Sequence, residues 1–247
     1  MCPEIFGMDS YSLMCGVGLG SALAFVIARK DRFGDSIKNI IWFVVSAIVG
    51  LIIGSKVVFF ISRLPYLSEV GASGERYIEE LVEAGYVFYG GVIGAYAGLI
   101  VRARMIKAPL RNVLNFFTPA FAFFHAFGRI GCFCAGCCYG IEVEKFGFVM
   151  ADGIRKFPVQ LVESVFEFLM VALLLMLEKR AEQKKKSPKL SFYYLMTYST
   201  VRFCLEFLRG DEDRGFFGPL STSQWIALII ITTGIIWRIR LLYQEKR

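Results

Sequence analysis

Residues 113–140 read VLNFFTPAFAFFHAFGRIGCFCAGCCYG, an apolar run that ends at Phe127 and is followed at once by Gly128 and Arg129. A guanidinium placed where hydrocarbon stops costs on the order of a few kcal/mol unless it is paired or hydrated, so Arg129 calls for an anionic partner. Lipid phosphate is the nearest candidate.

The same apolar texture extends in both directions. Of 247 residues 56% are hydrophobic and 24 are phenylalanine, and the mean hydropathy of +0.55 exceeds what a solvated globular surface permits. Seven apolar segments can be drawn, roughly Tyr11–Ala28, Ile40–Ile61, Tyr86–Val101, Val113–Phe127, Val159–Leu177, Leu190–Leu208 and Pro219–Ile239. Most approach the roughly 20 residues that a spanning helix needs. The expected fold is therefore all-α: a polytopic membrane helical bundle of about seven transmembrane helices, one domain over residues 1–247. Segments three and four are short, and Pro119 interrupts the fourth, so a tilted, kinked or partly re-entrant path is expected there.

Together with Arg238 at the end of segment seven, the loops after segments one, three, five and seven hold 18 of the 28 Lys and Arg. By the positive-inside rule those loops are cytoplasmic, the N-terminus is outside and the C-terminus is in the cytoplasm. Spread over juxtamembrane loops, the net charge of +7 suits anionic lipid headgroups and forms no nucleic-acid platform. Glu4 and Asp9 precede the first apolar run and its basic flank follows it, so that segment is expected to be a retained helix rather than a cleaved signal.

Ser73–Gly85 sets Ile78, Leu81 and Val82 opposite Glu79, Glu80 and Glu83, the pattern of a short interfacial helix. Glu178–Lys189, the longest polar insertion, reads as a solvated loop. Glycines spaced by four at Gly16 and Gly20, Gly50 and Gly54, and Gly90, Gly94 and Gly98 predict close helix packing.

Ionisable groups at membrane depth mark the functional centre: Lys56, Arg129, Glu163, Glu167, Arg202, Glu206 and Arg209. Arg202, Glu206 and Arg209 follow an i, i+4, i+7 spacing, so on one helix they form a stripe in which Glu206 can brace either arginine, leaving guanidinium forks for a phosphate. The bland reading is mutual neutralisation, for example Lys56 with Glu163 or Glu206. Four cations at this depth exceed what a purely structural bundle requires, and an anion site in a lipid-accessible cavity accounts for them. Cys132, Cys134, Cys137 and Cys138 put four thiols in seven residues. They could hold a soft metal or a disulfide, but adjacent Cys137 and Cys138 suit a tetrahedral site poorly, and small apolar packing is the simpler expectation. The lone His125 reads as a satisfied core histidine.

Taken together, these motifs resemble the prolipoprotein diacylglyceryl transferase family, bacterial inner-membrane enzymes that move diacylglyceryl from phosphatidylglycerol to the lipobox cysteine thiol of a prolipoprotein. The resemblance runs over most of the chain. It is carried by Tyr11 in SYSLM, YGGVIGA at Tyr89–Ala95, NFFTPAFAFFHAFGRIGCF with Gly128, Arg129, Gly131 and Phe133, and by Gly140. It continues in FPVQLVES through Pro158, Gln160, Leu161 and Glu163, in RFCLEFLRGD through Arg202, Glu206, Phe207 and Arg209, and in Gln224 of a Ser-x-x-Gln helix start. Cys132, Ala135 and Cys137 stand where the family signature has asparagine, asparagine and glutamate. Tyr89 replaces a histidine, and Lys56 an arginine.

The resemblance implies catalytic roles for Tyr89, Arg129 and Arg209 and substrate binding by Tyr11, Arg202, Glu206, Glu163 and Lys56. It implies phosphatidylglycerol and a prolipoprotein signal peptide as partners, no metal or organic cofactor, and a monomer in the bacterial cytoplasmic membrane. With Tyr89 a weak base, nearby cations would lower the pKa of the incoming thiol. The alternatives are a relative that uses the same donor with another acceptor, and a non-catalytic phospholipid or anion carrier. No internal repeat favours the carrier.

Overall fold

A computed structural model describes residues 4–69, 74–75, 88–150, 152–211 and 215–245. The long apolar segments form helices: α1 (Ser10–Ala28), the short α2 (Lys30–Phe33), α3 (Ile37–Glu69), α4 (Phe88–Met105), α5 (Leu110–Ala135), α6 (Val159–Gln183), α7 (Leu190–Leu205) and α8 (Thr222–Glu245). Among the described residues, extended structure is limited to two-residue antiparallel hairpins, Glu4–Ile5 with Met8–Asp9, Phe148–Val149 with Arg155–Lys156, and Phe216–Phe217 with Leu220–Ser221, and to the single bridges of Gly140 with Arg209 and of Glu142 with Lys156. Among the described residues four helices, α1, α3, α6 and α8, contain stretches long and apolar enough to cross a membrane.

The chain falls into two compact units, residues 1–28 with 115–247, and residues 29–114. In the second, α3 and α4 pack along a glycine seam. A Cβ on Gly50 or Gly94 would overlap the other's carbonyl oxygen, and one on Gly98 would overlap that of Ser46. This is the close backbone approach that the four-residue spacing predicts. In the first unit the expectation fails for Gly16 and Gly20, which face open space. Gly18 makes the contact instead, where a Cβ would lie 2.8 Å from Phe127 Cβ on α5.

Helix α6 shows why this fold belongs in lipid. It buries Gln160, Glu163, Ser164 and Glu167 and exposes Val165, Leu169, Leu173 and Met176. A water-soluble helix does the reverse; polar-in and apolar-out is the arrangement that hydrocarbon demands.

Several boundaries differ from the sequence expectation. Helix α5 runs unbroken through Pro119 to Ala135, so Arg129 lies inside its last two turns rather than after it. Helix α6 continues to Gln183 because Glu178–Gln183 is rich in good helix formers, and the polar loop shortens to 184–189. The interfacial helix expected over Ser73–Gly85 falls outside the described residues except at Gly74 and Glu75, which are helical. Ser221 and Gln224, read as a family motif, form a reciprocal cap of α8: Gln224 N donates to Ser221 Oγ at 3.2 Å, and Ser221 N to Gln224 Oε1 at 2.9 Å. That is a capping box.

Candidate active site

Helix α5 brings Arg129 in its last turns, α6 brings Glu163 in its second turn, and α7 brings Arg202 in its last turn. All three are buried, Glu163 to 1% exposure. Arg202 Nη1 donates to Glu163 Oε2 at 3.0 Å, and Arg129 Nε lies 2.9 Å from the same oxygen. That Nε makes no hydrogen bond among the described residues, so the contact with Glu163 is ionic. Glu163 Oε1 accepts from Tyr198 Oη at 2.9 Å. One carboxylate thus serves two guanidiniums and a phenol.

The chain of charges continues past α7. Arg202 Nη2 lies 2.8 Å from Glu206 Oε2, and the same oxygen lies 3.8 Å from Arg209 Nη1. Arg209 is not on the helix. A single 3-10 turn, Glu206–Leu208, intervenes and Arg209 itself is extended, which turns its guanidinium onto Asp211: Nε donates to Oδ1 at 2.8 Å, and Nη2 to Oδ2. The series reads Arg129, Glu163, Arg202, Glu206, Arg209, Asp211, alternating in sign.

The backbone fixes Arg209 beside the cysteine-rich turn. Gly210 N donates to Tyr139 O at 3.0 Å, Ile141 N to Leu208 O at 2.9 Å, and Gly140 N to Phe157 O at 3.0 Å. Gly140 and Gly210 lie face to face; a Cβ on Gly210 would come within 2.6 Å of Gly140 O. Only glycine allows strands this close. Gln160 Nε2 adds a donor to Cys137 O at 2.6 Å. Lys156 braces the clip from outside, with Nζ 3.7 Å from the centre of the Tyr139 ring and 2.6 Å from Asp152 Oδ2. The hydrogen bond between them holds the Asp152 carboxyl below the usual carboxylate range and the Lys156 ammonium above the usual lysine range.

The structure therefore brings Arg129, Glu163, Arg202, Glu206 and Arg209 together. Tyr11 lies on α1 where that helix meets the signature, since a Cβ on Gly131 would be 3.3 Å from Tyr11 O. Tyr89, buried, and Lys56, half-buried, belong to the other unit, on α4 and α3. His125 is buried, with Nδ1 2.9 Å from Glu167 Oε1 and Nε2 3.8 Å from Glu163 Oε1, a core histidine as expected but hydrogen-bonded to Glu167 through Nδ1 only. An excess of cations is not what distinguishes the centre: Arg129, Arg202 and Arg209 meet Glu163, Glu206 and Asp211 one for one. Arg129 is nevertheless incompletely used, because its buried Nη2 has no hydrogen-bond partner among the described residues. Sequence reasoning missed Asp211 and Tyr198. Asp211 was legible as an acid two residues beyond Arg209; Tyr198 carried no signal, being one aromatic among many.

Fold and site define a helical membrane protein whose polar centre is a buried ladder of arginines and carboxylates. Residues 4–240 match the family model described as prolipoprotein diacylglyceryl transferase. Phosphatidylglycerol–prolipoprotein diacylglyceryl transferase 2 of Clostridium perfringens is 31% identical over 242 residues, 94% of this chain and 91% of that protein. The phosphatidylglycerol–prolipoprotein diacylglyceryl transferase of Clostridium tetani is 31% identical over 241 residues, 94% of this chain and 93% of that protein. The Finegoldia magna protein of the same name is 30% identical over 241 residues, 96% and 93% of the two chains. The chain belongs to the prolipoprotein diacylglyceryl transferase family.

Proposed function

We infer that the protein transfers diacylglyceryl from phosphatidylglycerol to the lipobox cysteine thiol of a prolipoprotein. The thiolate sulfur attacks the glyceryl carbon that bears the phosphate ester. The C–O bond breaks, a thioether forms, and glycerol phosphate leaves with the bonding pair on its oxygen. The observation that carries this reading is Arg129: a buried guanidinium, held by Glu163, whose Nη2 makes no hydrogen bond among the described residues. A phosphate oxygen is the acceptor such a fork takes best. Arg202 and Arg209 supply further positive charge to the departing phosphate, while Glu163, Glu206 and Asp211 hold the forks in place. Cations nearby favour the thiolate of the incoming cysteine. Tyr11 binds substrate beside the signature. Tyr89 as a catalytic group and Lys56 as a substrate-binding group are assigned from the resemblance alone.

Residues 1–247 act as one transferase domain, a monomer crossing the bacterial cytoplasmic membrane seven times with the N-terminus outside, and the transfer step calls on no cofactor. In this topology Arg129, Glu163, Arg202 and Arg209 all lie toward the outer leaflet, where a prolipoprotein thiol emerges. A different acceptor is the second reading, favoured by Cys132, Ala135 and Cys137 in the signature.

The test is a lipobox peptide incubated with the protein in phosphatidylglycerol vesicles and read by mass. The expected product is a diacylglyceryl thioether, absent with Arg129→Ala or Arg209→Ala at unchanged expression. Turnover preserved in either variant refutes the clamp. A wild-type protein that consumes the donor without modifying the peptide selects the second reading.

A further inference from the structure

Three of the four signature thiols converge. The Sγ atoms of Cys132, Cys137 and Cys138 all lie within 4.8 Å of one another, whereas Cys134 stands apart from the group. The objection from sequence was that adjacent Cys137 and Cys138 suit a tetrahedral site poorly. The backbone removes it: α5 ends at Ala135, Gly136 turns at φ 77°, and Cys138 adopts φ 56°. This left-handed conformation is uncommon for a residue with a side chain. It folds two consecutive thiols back toward the last turn of the helix.

Besides the Cys137 Sγ contact to Cys132 O at 3.6 Å, the turn is pinned by bonds that do not involve the sulfurs. Cys137 N donates to Cys132 O at 3.1 Å, Gln160 Nε2 reaches Cys137 O at 2.6 Å, and the strand clip secures Gly140. The thiols are therefore gathered in advance rather than by a ligand. Arg129 Nη1 lies 3.4 Å from Cys132 Sγ, a cation set against sulfur. Cys132 is buried and Cys137 exposed, which leaves a way in from solvent.

From this geometry we propose that Cys132, Cys137 and Cys138 form a three-thiolate site for a soft d10 cation, Cu(I) or Zn(II). Three sulfurs around one ion at about 2.3 Å stand about 4 Å apart, so the trio needs to close by less than an ångström. Soft thiolates select these ions. On binding, each thiol gives its proton to solvent and three S–metal bonds form. The surplus negative charge of three thiolates over the ion faces the Arg129 guanidinium. Cu(I) is satisfied by three sulfurs, while Zn(II) takes water as a fourth ligand. A disulfide fits less well, since it would use two thiols and strand the third, and it leaves the adjacent arginine without a thiolate to face.

The test needs no transferase assay, so its outcome is independent of the proposed function. Protein purified in detergent under anaerobic, reducing conditions is titrated with Cu(I) held by a competing chelator and, separately, with Zn(II). One equivalent of at least one ion is expected, with sulfur-to-metal charge-transfer absorption for Cu(I). Cys134→Ser retains binding. Cys137→Ser, at an exposed position where folding is not at stake, weakens it by more than about 100-fold, beyond what an outer-shell partner accounts for. The triple Cys→Ser variant of the trio abolishes it. Whichever ion saturates at the lower free concentration is the occupant. The proposal is overturned if neither ion binds stoichiometrically, if Cys137→Ser binds as the wild type does, or if the protein isolated anaerobically carries a disulfide within residues 132–138.

Discussion

At the residue scale Glu163 carries the site, because its two oxygens meet Arg129, Arg202 and Tyr198 with almost no exposure to water. Removing one partner of a buried ion pair costs about 3–5 kcal/mol, since the other charge is left uncompensated. Glu163→Gln is therefore expected to lower stability by that order in detergent thermal unfolding, while the exposed Glu144→Gln stays within about 0.5 kcal/mol. Equal midpoints for the two variants would remove Glu163 from its central position. Arg202 and Glu206 were legible in the sequence because i, i+4 neighbours on a helix must meet. Arg129 and Glu163, 34 positions apart in the numbering, were each legible as a buried charge, but nothing local says which charge faces which. The convergence of Cys137 and Cys138 on Cys132 was hidden for a related reason, since a left-handed turn at a non-glycine residue leaves no mark in residue type.

Also at this scale, Asp152 and Lys156 set a pH window for the hairpin they brace. Lys156, held above its usual range, adds stability that is complete below the ordinary lysine pKa and fades as pH rises through the raised value. Asp152, held below its usual range, adds stability that is complete above the ordinary carboxylate pKa and fades as pH falls through the lowered value. Once corrected for the intrinsic pH dependence of exchange, amide protection over residues 148–156 should be flat between about pH 4 and pH 10 and decline on both flanks. Asp152→Asn should erase the acid flank; an unaltered acid flank counts against the pair.

At the scale of elements, the α3–α4 seam is the part of the fold most strictly dictated by residue size. Gly94→Ala forces a Cβ into the Gly50 carbonyl, and overpacking of this kind costs about 1–3 kcal/mol or more. Gly16→Ala, into open space, removes a flexible residue from a helix and should be neutral or stabilising by up to about 1 kcal/mol. A thermal scan of both variants checks the pair, and equal losses would mean that the seam does not exist. The glycine spacing exposed the seam on α3 and α4 but not on α1, because four-residue spacing marks a possible contact face and only the neighbouring helix decides which face is used.

At the scale of the whole molecule, the proposed orientation rests on the distribution of Lys and Arg. Trp42 lies 6.0 Å from Arg102 and Trp237 lies 5.2 Å from Lys189, aromatic and basic pairs of the kind that sit at a membrane boundary. In the proposed topology both pairs are cytoplasmic. A green fluorescent protein fused to the C-terminus should fluoresce and alkaline phosphatase at the same point should be silent; the opposite pattern would reverse the orientation.

The residue order determined by itself that this chain is helical, that it resides in a membrane, which charges must be buried and to which family it belongs. Those properties follow from composition, period and motif, which act locally or as sums along the chain. Tertiary structure alone decided that one glutamate holds two arginines, that Asp211 takes the third, and that three thiols share a corner. Such pairings depend on where separate helices end relative to one another and on single backbone torsions, and a linear pattern does not encode either.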